Sequence, residues 1–287
     1  MPLTINTNII SLNAQRNLSS SQSALASSMQ RLSSGLRVNT AKDDAAGMAI
    51  AERMNAQVRG MGVAARNAND GISLAQTAEG ALGKVSESLQ RMRELAVQSA
   101  NATNTADDKT SLDKEFGELA KEIQRVLGGT TFNGLSVLGA AAGAQIFQVG
   151  ANTSSNDTIS ITTTKMTEDA TITAVAGTDT TNSSGRAVIT GSAGATQTVI
   201  GNIDRALDSV NAERATLGAS QSRFDAVISN LQISIENQSA ARSRIIDTDF
   251  AAETAKLSRA QILQQAGNAM VAQANQLPGQ VMQLLLR

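Results

Sequence analysis

The sequence has no cysteine, histidine, tryptophan or tyrosine, and only five phenylalanines and two prolines in 287 residues. Missing histidine and cysteine exclude a histidine-based triad, a thiolate nucleophile, and zinc or haem sites built from their usual ligands. No cofactor is expected. A chain without thiols also suits work outside the cell, where oxidation chemistry would be a hazard. Neither sign of charge dominates: 24 basic against 25 acidic residues give a net of −1. Nothing electrostatic therefore draws the chain to nucleic acid or to an anionic membrane. No apolar run reaches membrane-spanning length. The N-terminus, Met1-Pro2-Leu3-Thr4-Ile5-Asn6, lacks the basic and continuous apolar regions of a secretory signal peptide. Export, if it occurs, needs a different machine.

What is present is helical periodicity. Alternating steps of four and three from Ile203 reach Leu207, Val210, Arg214, Leu217, Gln221, Phe224, Ile228, Leu231, Ile235, Gln238, Arg242 and Ile245. A second stripe in that rhythm runs Leu263, Gly267, Met270, Ala274, Leu277, Val281, Leu284. One helix cannot bury its own stripe, so seams of this length ask for partner helices. At the other end Leu12, Leu18, Leu25 and Leu32 sit in a weakly apolar helix that should stop at Ser33-Ser34-Gly35. Ile5, Ile9, Leu12, Leu18, Leu25, Met29, Leu32 and Leu36 together would contribute roughly 12–24 kcal/mol if fully buried. Ordering the first 36 residues costs on the order of 1–2 kcal/mol each, so the termini are expected to stay disordered until several copies pack together.

Between the ends, residues 44–100 carry Ala78, Ala81, Val85, Leu89, Met92 and Ala96 after an interruption expected at Asn69-Asp70-Gly71. Leu112, Phe116, Leu119, Ile123 and Val126 mark a further helix closed by Gly128-Gly129. After Asn133-Gly134 the period changes to two: Gln145–Val149 and Thr158–Thr162 alternate like strands of a hairpin. From Asn152 to Thr198, 20 of 47 residues are Ser or Thr. Short strands are expected at Thr171–Val175 and Arg186–Thr190. The predicted fold is mainly α, a long antiparallel helical hairpin or coiled-coil rod with a small β-hairpin region in the middle of the chain. Its expected domains are 1–43 with 246–287 as a terminal assembly domain, 44–165 with 199–245 as a rod domain, and 166–198 as a short variable excursion.

Catalytic signals are slight. Ser111-Leu112-Asp113-Lys114 fits S-x-x-K, but the companion motifs are missing and Leu112 is the first rung of an apolar stripe. The pairs Asp43-Asp44, Asp107-Asp108 and Asp247/Asp249 read as solvated helix ends rather than metal ligands. No enzymatic activity is expected.

Five segments carry a resemblance. Ser33–Met54 (SSGLRVNTAKDDAAGMAIAERM), Asn67–Leu82 (NANDGISLAQTAEGAL), Gln90–Asn101 (QRMRELAVQSAN), Phe132–Leu138 (FNGLSVL) and Ser258–Pro278 (SRAQILQQAGNAMVAQANQLP) resemble bacterial flagellins, in the family's order. Over roughly 1–165 and 200–287 the chain is similar to a short flagellin without large outer domains. The resemblance implies a secreted structural subunit that polymerises with itself into the extracellular flagellar filament for swimming. It implies transit through the type III export apparatus with an export chaperone on the C-terminal helices, and contacts with hook–filament junction and cap proteins. The assembly seam would include Leu12, Leu25, Leu32, Leu263, Met270, Leu277 and Leu284. Arg91, Leu95, Gln98 and Glu115 match positions that the host Toll-like flagellin receptor contacts, and Leu284-Leu285-Leu286-Arg287 resembles the tail sensed by cytosolic NAIP receptors. A flagellin-like hook–filament junction protein is the nearest alternative reading.

Overall fold

The computed structural model describes residues 7–181 and 185–285, without the side chains of Leu277, Pro278 and residues 280–285. Among the described residues there are six α-helices and two small antiparallel β-pairs. The elements are α1 (Ile9–Ser34), α2 (Ala45–Ser99), α3 (Ala106–Gly129), β1 (Thr131–Phe132), β2 (Leu135–Ser136), β3 (Ala144–Gln148), β4 (Thr158–Thr162), α4 (Ala170–Ala176), α5 (Ala193–Ile246) and α6 (Phe250–Leu285). None of these helices is long and apolar enough to cross a membrane. Two compact units emerge, one of residues 1–56 and 236–287 and one of residues 57–235, with both boundaries falling inside α2 and α5.

The central unit is built on the α5 stripe. Ile203, Val210, Leu217 and Phe224 recur every seven residues and are all fully buried. Against them stand Ala68, Ala75, Ala78, Leu82, Val85, Leu89 and Met92 of α2 in one apolar cluster. The polar rungs are also used: Gln221 donates to Glu79 at 2.9 Å, and Arg214 approaches the same carboxylate at 3.9 Å. No break occurs at Asn69–Gly71, where α2 runs through. A Cβ on Gly71 would stand 2.8 Å from Cζ of Phe224, so the glycine is a notch for that ring rather than a stop. Phe147 of β3 meets Phe224 edge-on at 5.6 Å.

α3 begins in a capping box: Asp108 donates its amide to Thr105 Oγ1, and Thr105 donates its amide to the Asp108 carboxylate. Phe116, Ala120, Ile123 and Leu127 form its buried face. Beyond it the chain turns back through Asn133 (φ 50°) and Gly134 (φ 81°), both left-handed, as a two-residue hairpin requires. The expected second hairpin is present, β3 pairing with β4 from Ala144–Thr162 to Gln148–Thr158.

Residues 166–198 depart from expectation. Thr171–Val175 is helical, because Asp169 takes the amides of Thr171 and Ile172 as an N-cap and Gly177 (φ 72°) closes the turn. Five residues of alternating Thr and apolar side chains fit either period, and the cap decides. As a helix the segment places Ile172, Val175 and Ala176 on one face, each fully buried. Residues 186–190 form no strand but are pinned in place, Ala187 donating its amide to Val175 at 3.1 Å. α5 starts inside the interval, at Ala193. The supposed excursion supplies part of the central core.

Candidate functional site

In the terminal unit α1 lies antiparallel to α6. Asn8 donates to the Ala274 carbonyl at 2.7 Å, Ser11 to Asn275 at 2.7 Å, and Ser28 to Glu253 at 2.7 Å, so rising numbers on one helix meet falling numbers on the other. Leu18 packs where a Cβ on Gly267 would come within 3.2 Å, and the glycine permits that approach. α1 stops at Gly35 (φ 73°), whose amide caps Arg31. Beyond it the chain is tied to the end of α5: Arg37 donates its amide to Ile246 at 2.7 Å, and Thr248 donates its amide to Gly35 at 2.9 Å.

The pairing buries few large side chains for its length. Its fully covered residues on α1 are Ser11 and Ser28, and on α6 Glu253, Ala260 and Ala274. Leu25 and Leu32 are half-buried. Leu12, Leu263, Met270 and Ile262 are exposed by 50, 51, 60 and 66%. The helix pair is thus joined by small and polar groups while much of its apolar stripe faces water. Of the remaining seam residues, the side chains of Leu277 and Leu284 lie outside the described residues. The same holds for the tail, where the side chains of Leu284 and Leu285, and Leu286 and Arg287 entirely, are outside them.

The second candidate surface is the outer face of α2 in the central unit. Arg91 donates through Nε to Glu115 at 2.9 Å and through Nη1 to Glu94 at 2.9 Å. The bond to Glu94, then that to Glu115, raises the guanidinium pKa. Gln98 is exposed, and its carbonyl receives the Asn104 side chain at 2.6 Å. Leu95 does not share this surface. It is 1% exposed and belongs to the central cluster, because the apolar stripe of α2 turns it inward. The face therefore presents Arg91, Gln98 and Glu115 without Leu95.

Sequence reasoning missed a third feature, the part-buried pair Asp113–Arg186. Arg186 reaches both carboxylate oxygens, at 2.9 and 2.6 Å, and the Ile189 amide donates to one of them at 3.0 Å. The guanidinium lies 5.9 Å from the Phe116 ring centroid, with Gly117 leaving room beside it. Burial alone would push the Asp113 carboxyl up. The Arg186 and Ile189 hydrogen bonds and the guanidinium charge outweigh it, holding the group below its ordinary 3.8. Asp113 belongs to the S-x-x-K segment, whose Ser111 hydroxyl bonds back to the Asp107 carbonyl at 3.0 Å. The pair acts as a clasp for residues 186–189.

A depressed folded pKa means that the clasp's contribution is complete above the unfolded value of 3.8 and is lost as pH falls through the folded value. Asp113→Asn should cost about 3 kcal/mol at neutral pH, since it strands Arg186 in a largely dry site. The gap between wild type and variant in denaturant unfolding should then narrow below about pH 3.8. A gap independent of pH would show that the carboxylate charge is not what holds the segment.

Two family models match the two ends of the chain. Residues 5–142 match the model of the bacterial flagellin N-terminal helical region, and residues 200–285 that of the C-terminal helical region. A flagellin of Halalkalibacterium halodurans is 46% identical over 281 residues, covering 98% of this chain and 99% of the relative. A flagellin of Xenorhabdus nematophila is 42% identical over 99% of this chain and 100% of its own length. Among solved structures, that of Bacillus cereus flagellin aligns with a TM-score of 0.48 at 35% identity, over 58% of this chain and 88% of that one.

Proposed function

This chain belongs to the bacterial flagellin family, structural subunits of the flagellar filament, and from that premise we propose that it is exported unfolded and polymerises through α1 and α6 into a filament that drives swimming. The observation that carries the reading is the exposed apolar stripe on the terminal pair, Leu12, Ile262, Leu263 and Met270. Solvated apolar side chains at regular helical spacing are a surface awaiting a partner. Copies of the same helices are the partner that a self-polymerising family supplies. Half-buried Leu25 and Leu32 would complete their burial there, with Leu277 and Leu284 continuing the seam.

The same reading assigns the partners. A chaperone would cover the C-terminal helices before the type III apparatus threads the chain, and junction and cap proteins would bound the filament at its two ends. In a host, the Arg91–Glu115 pair with Gln98 would form the face offered to the Toll-like flagellin receptor. Leu95 would support that face from beneath, and the Leu284–Arg287 tail would be offered to cytosolic receptors.

Seeded polymerisation followed by electron microscopy tests the central claim. Purified chain added to short filament fragments should elongate them without limit. A collar that stops after a few layers would identify a junction protein instead, and no addition at all would remove the filament reading.

A further inference from the structure

Charge is distributed unevenly in the terminal unit. Along α1 and α6 the charged residues are Arg16, Arg31, Lys256 and Arg259 against the single acid Glu253, four positive and one negative. Glu253 is 3% exposed and already satisfied, by Ser28 at 2.7 Å and Lys256 at 3.0 Å. It forms part of the lining of a groove of about 360 Å³ between the helices, together with Ser28, Arg31, Lys256, Arg259 and Leu263 among others. Neither Arg31 nor Arg259 has an ion pair within the described residues. The groove is thus a concave basic site next to the exposed apolar stripe, with Leu263 common to both.

The unit's other acids lie off this helix pair. Asp43 accepts from Asn39 and Thr40, Asp44 from the Gly47 amide, Asp247 from Ser243 and Asp249 from the Ala251 amide. Glu52 on α2 and Glu236 on α5 are exposed and have neither a hydrogen bond nor an ion pair among the described residues. Two basic groove residues without an ion pair among the described residues, Arg31 and Arg259, and two carboxylates without one, Glu52 and Glu236, therefore stand on one chain at different places.

We propose that the α1–α6 groove receives the Glu52 and Glu236 carboxylates of a second copy of this chain, through Arg31 and Arg259. The inference rests on the assembly reading above and deepens it. A surface that joins its complement elsewhere on the next copy is heterologous, and heterologous contacts that do not close into a ring extend as open helices. Opposite charges steer the encounter and fix its register, after which the adjoining apolar stripe buries. A free anion would satisfy the groove but leave Glu52 and Glu236 without a partner, whereas a second copy satisfies both.

A charge exchange tests it. Arg259→Glu and the double variant Glu52→Lys with Glu236→Lys are each added to wild-type seeds, alone and as an equimolar mixture, beside wild-type chain. Each variant alone should elongate at least about tenfold more slowly at low salt. The deficit should shrink as salt screens the contact, and the mixture should recover most of the wild-type rate, since reversed groove then meets reversed carboxylates. Either variant elongating alone at the wild-type rate, or a mixture no faster than its parts, overturns the proposal. Inorganic phosphate that raises the melting temperature of the monomer while the variants elongate normally also overturns it, in favour of a free anion. Should circular dichroism find Arg259→Glu unfolded, Arg259→Gln carries the test, and an undiminished rate for it is a refutation. If wild-type chain itself fails to elongate, the filament reading fails, and that result is distinct from a failure of the groove.

Discussion

Removing residues 166–190 and joining the ends with glycine and serine should leave the central unit unable to fold. Met166, Ile172, Val175 and Ile189 are buried to within 1% of complete. Burying side chains of this size contributes about 1.5–3 kcal/mol each. Four of them amount to roughly 6–12 kcal/mol, comparable with the whole stability of an ordinary domain, about 5–15 kcal/mol. The deletion would also leave Asp113 without Arg186 and Ser99 without the Ile189 carbonyl it donates to. A graded form of the experiment is Ile172→Ala, expected to cost about 2–5 kcal/mol as a cavity in a packed site. Denaturant unfolding followed by circular dichroism reads both. A deletion variant that unfolds cooperatively at the wild-type midpoint would show the segment to be an appendage after all.

That segment marks where the sequence stops being legible. Long stripes are redundant: Ile203, Val210, Leu217 and Phe224 specify one helix face several times over, and all four are buried as read. Even their polar rungs fit, since Arg214 and Gln221 converge on Glu79. The hairpin of β3 and β4 was legible for a similar reason, five alternating residues on each side of a polar turn. Between Met166 and Thr190 the chain offers only short runs of Thr, Ala and Gly. What orders them is distant in sequence: Asp113 holds Arg186 and Ile189, Glu213 holds Thr164, and Ser209 donates to Asp169. Those three carboxylates could have been flagged by lying close to apolar rungs, though nothing local names their partners.

Local spacing also misplaces single residues. Arg91, Leu95 and Gln98 share a helical face by number, yet a wide apolar stripe on α2 claims Leu95 for the core. Gly71 follows the same logic in reverse. Its apparent break is resolved by a phenylalanine more than a hundred residues away, whose ring needs the missing Cβ. On the terminal pair the sequence was read for its apolar spacing, and the structure adds why that spacing stays exposed: serine, alanine and glycine occupy the contact line between α1 and α6.

Met270→Asp should abolish filament elongation while leaving the monomer as stable as wild type. Met270 is 60% exposed, so the isolated chain loses little packing, and a solvated carboxylate there should shift stability by no more than about 0.5 kcal/mol. In a filament whose seam closes over this face, the same carboxylate would enter an apolar contact with no cation opposite it. Burial of an unpaired charge costs several kcal/mol, and the cost recurs in every subunit added. Because each 1.4 kcal/mol is about tenfold in an association constant, even a partial penalty moves the critical concentration beyond reach. Met270→Leu, which keeps apolar volume, should elongate normally and separates charge from shape. Thermal melting of each monomer beside its seeded elongation provides both readings. If Met270→Asp lowers the monomer melting temperature substantially, the residue is packed within its own chain. If its filaments grow at the wild-type rate, the stripe faces water in the assembly as well, and the terminal helices must associate through another side.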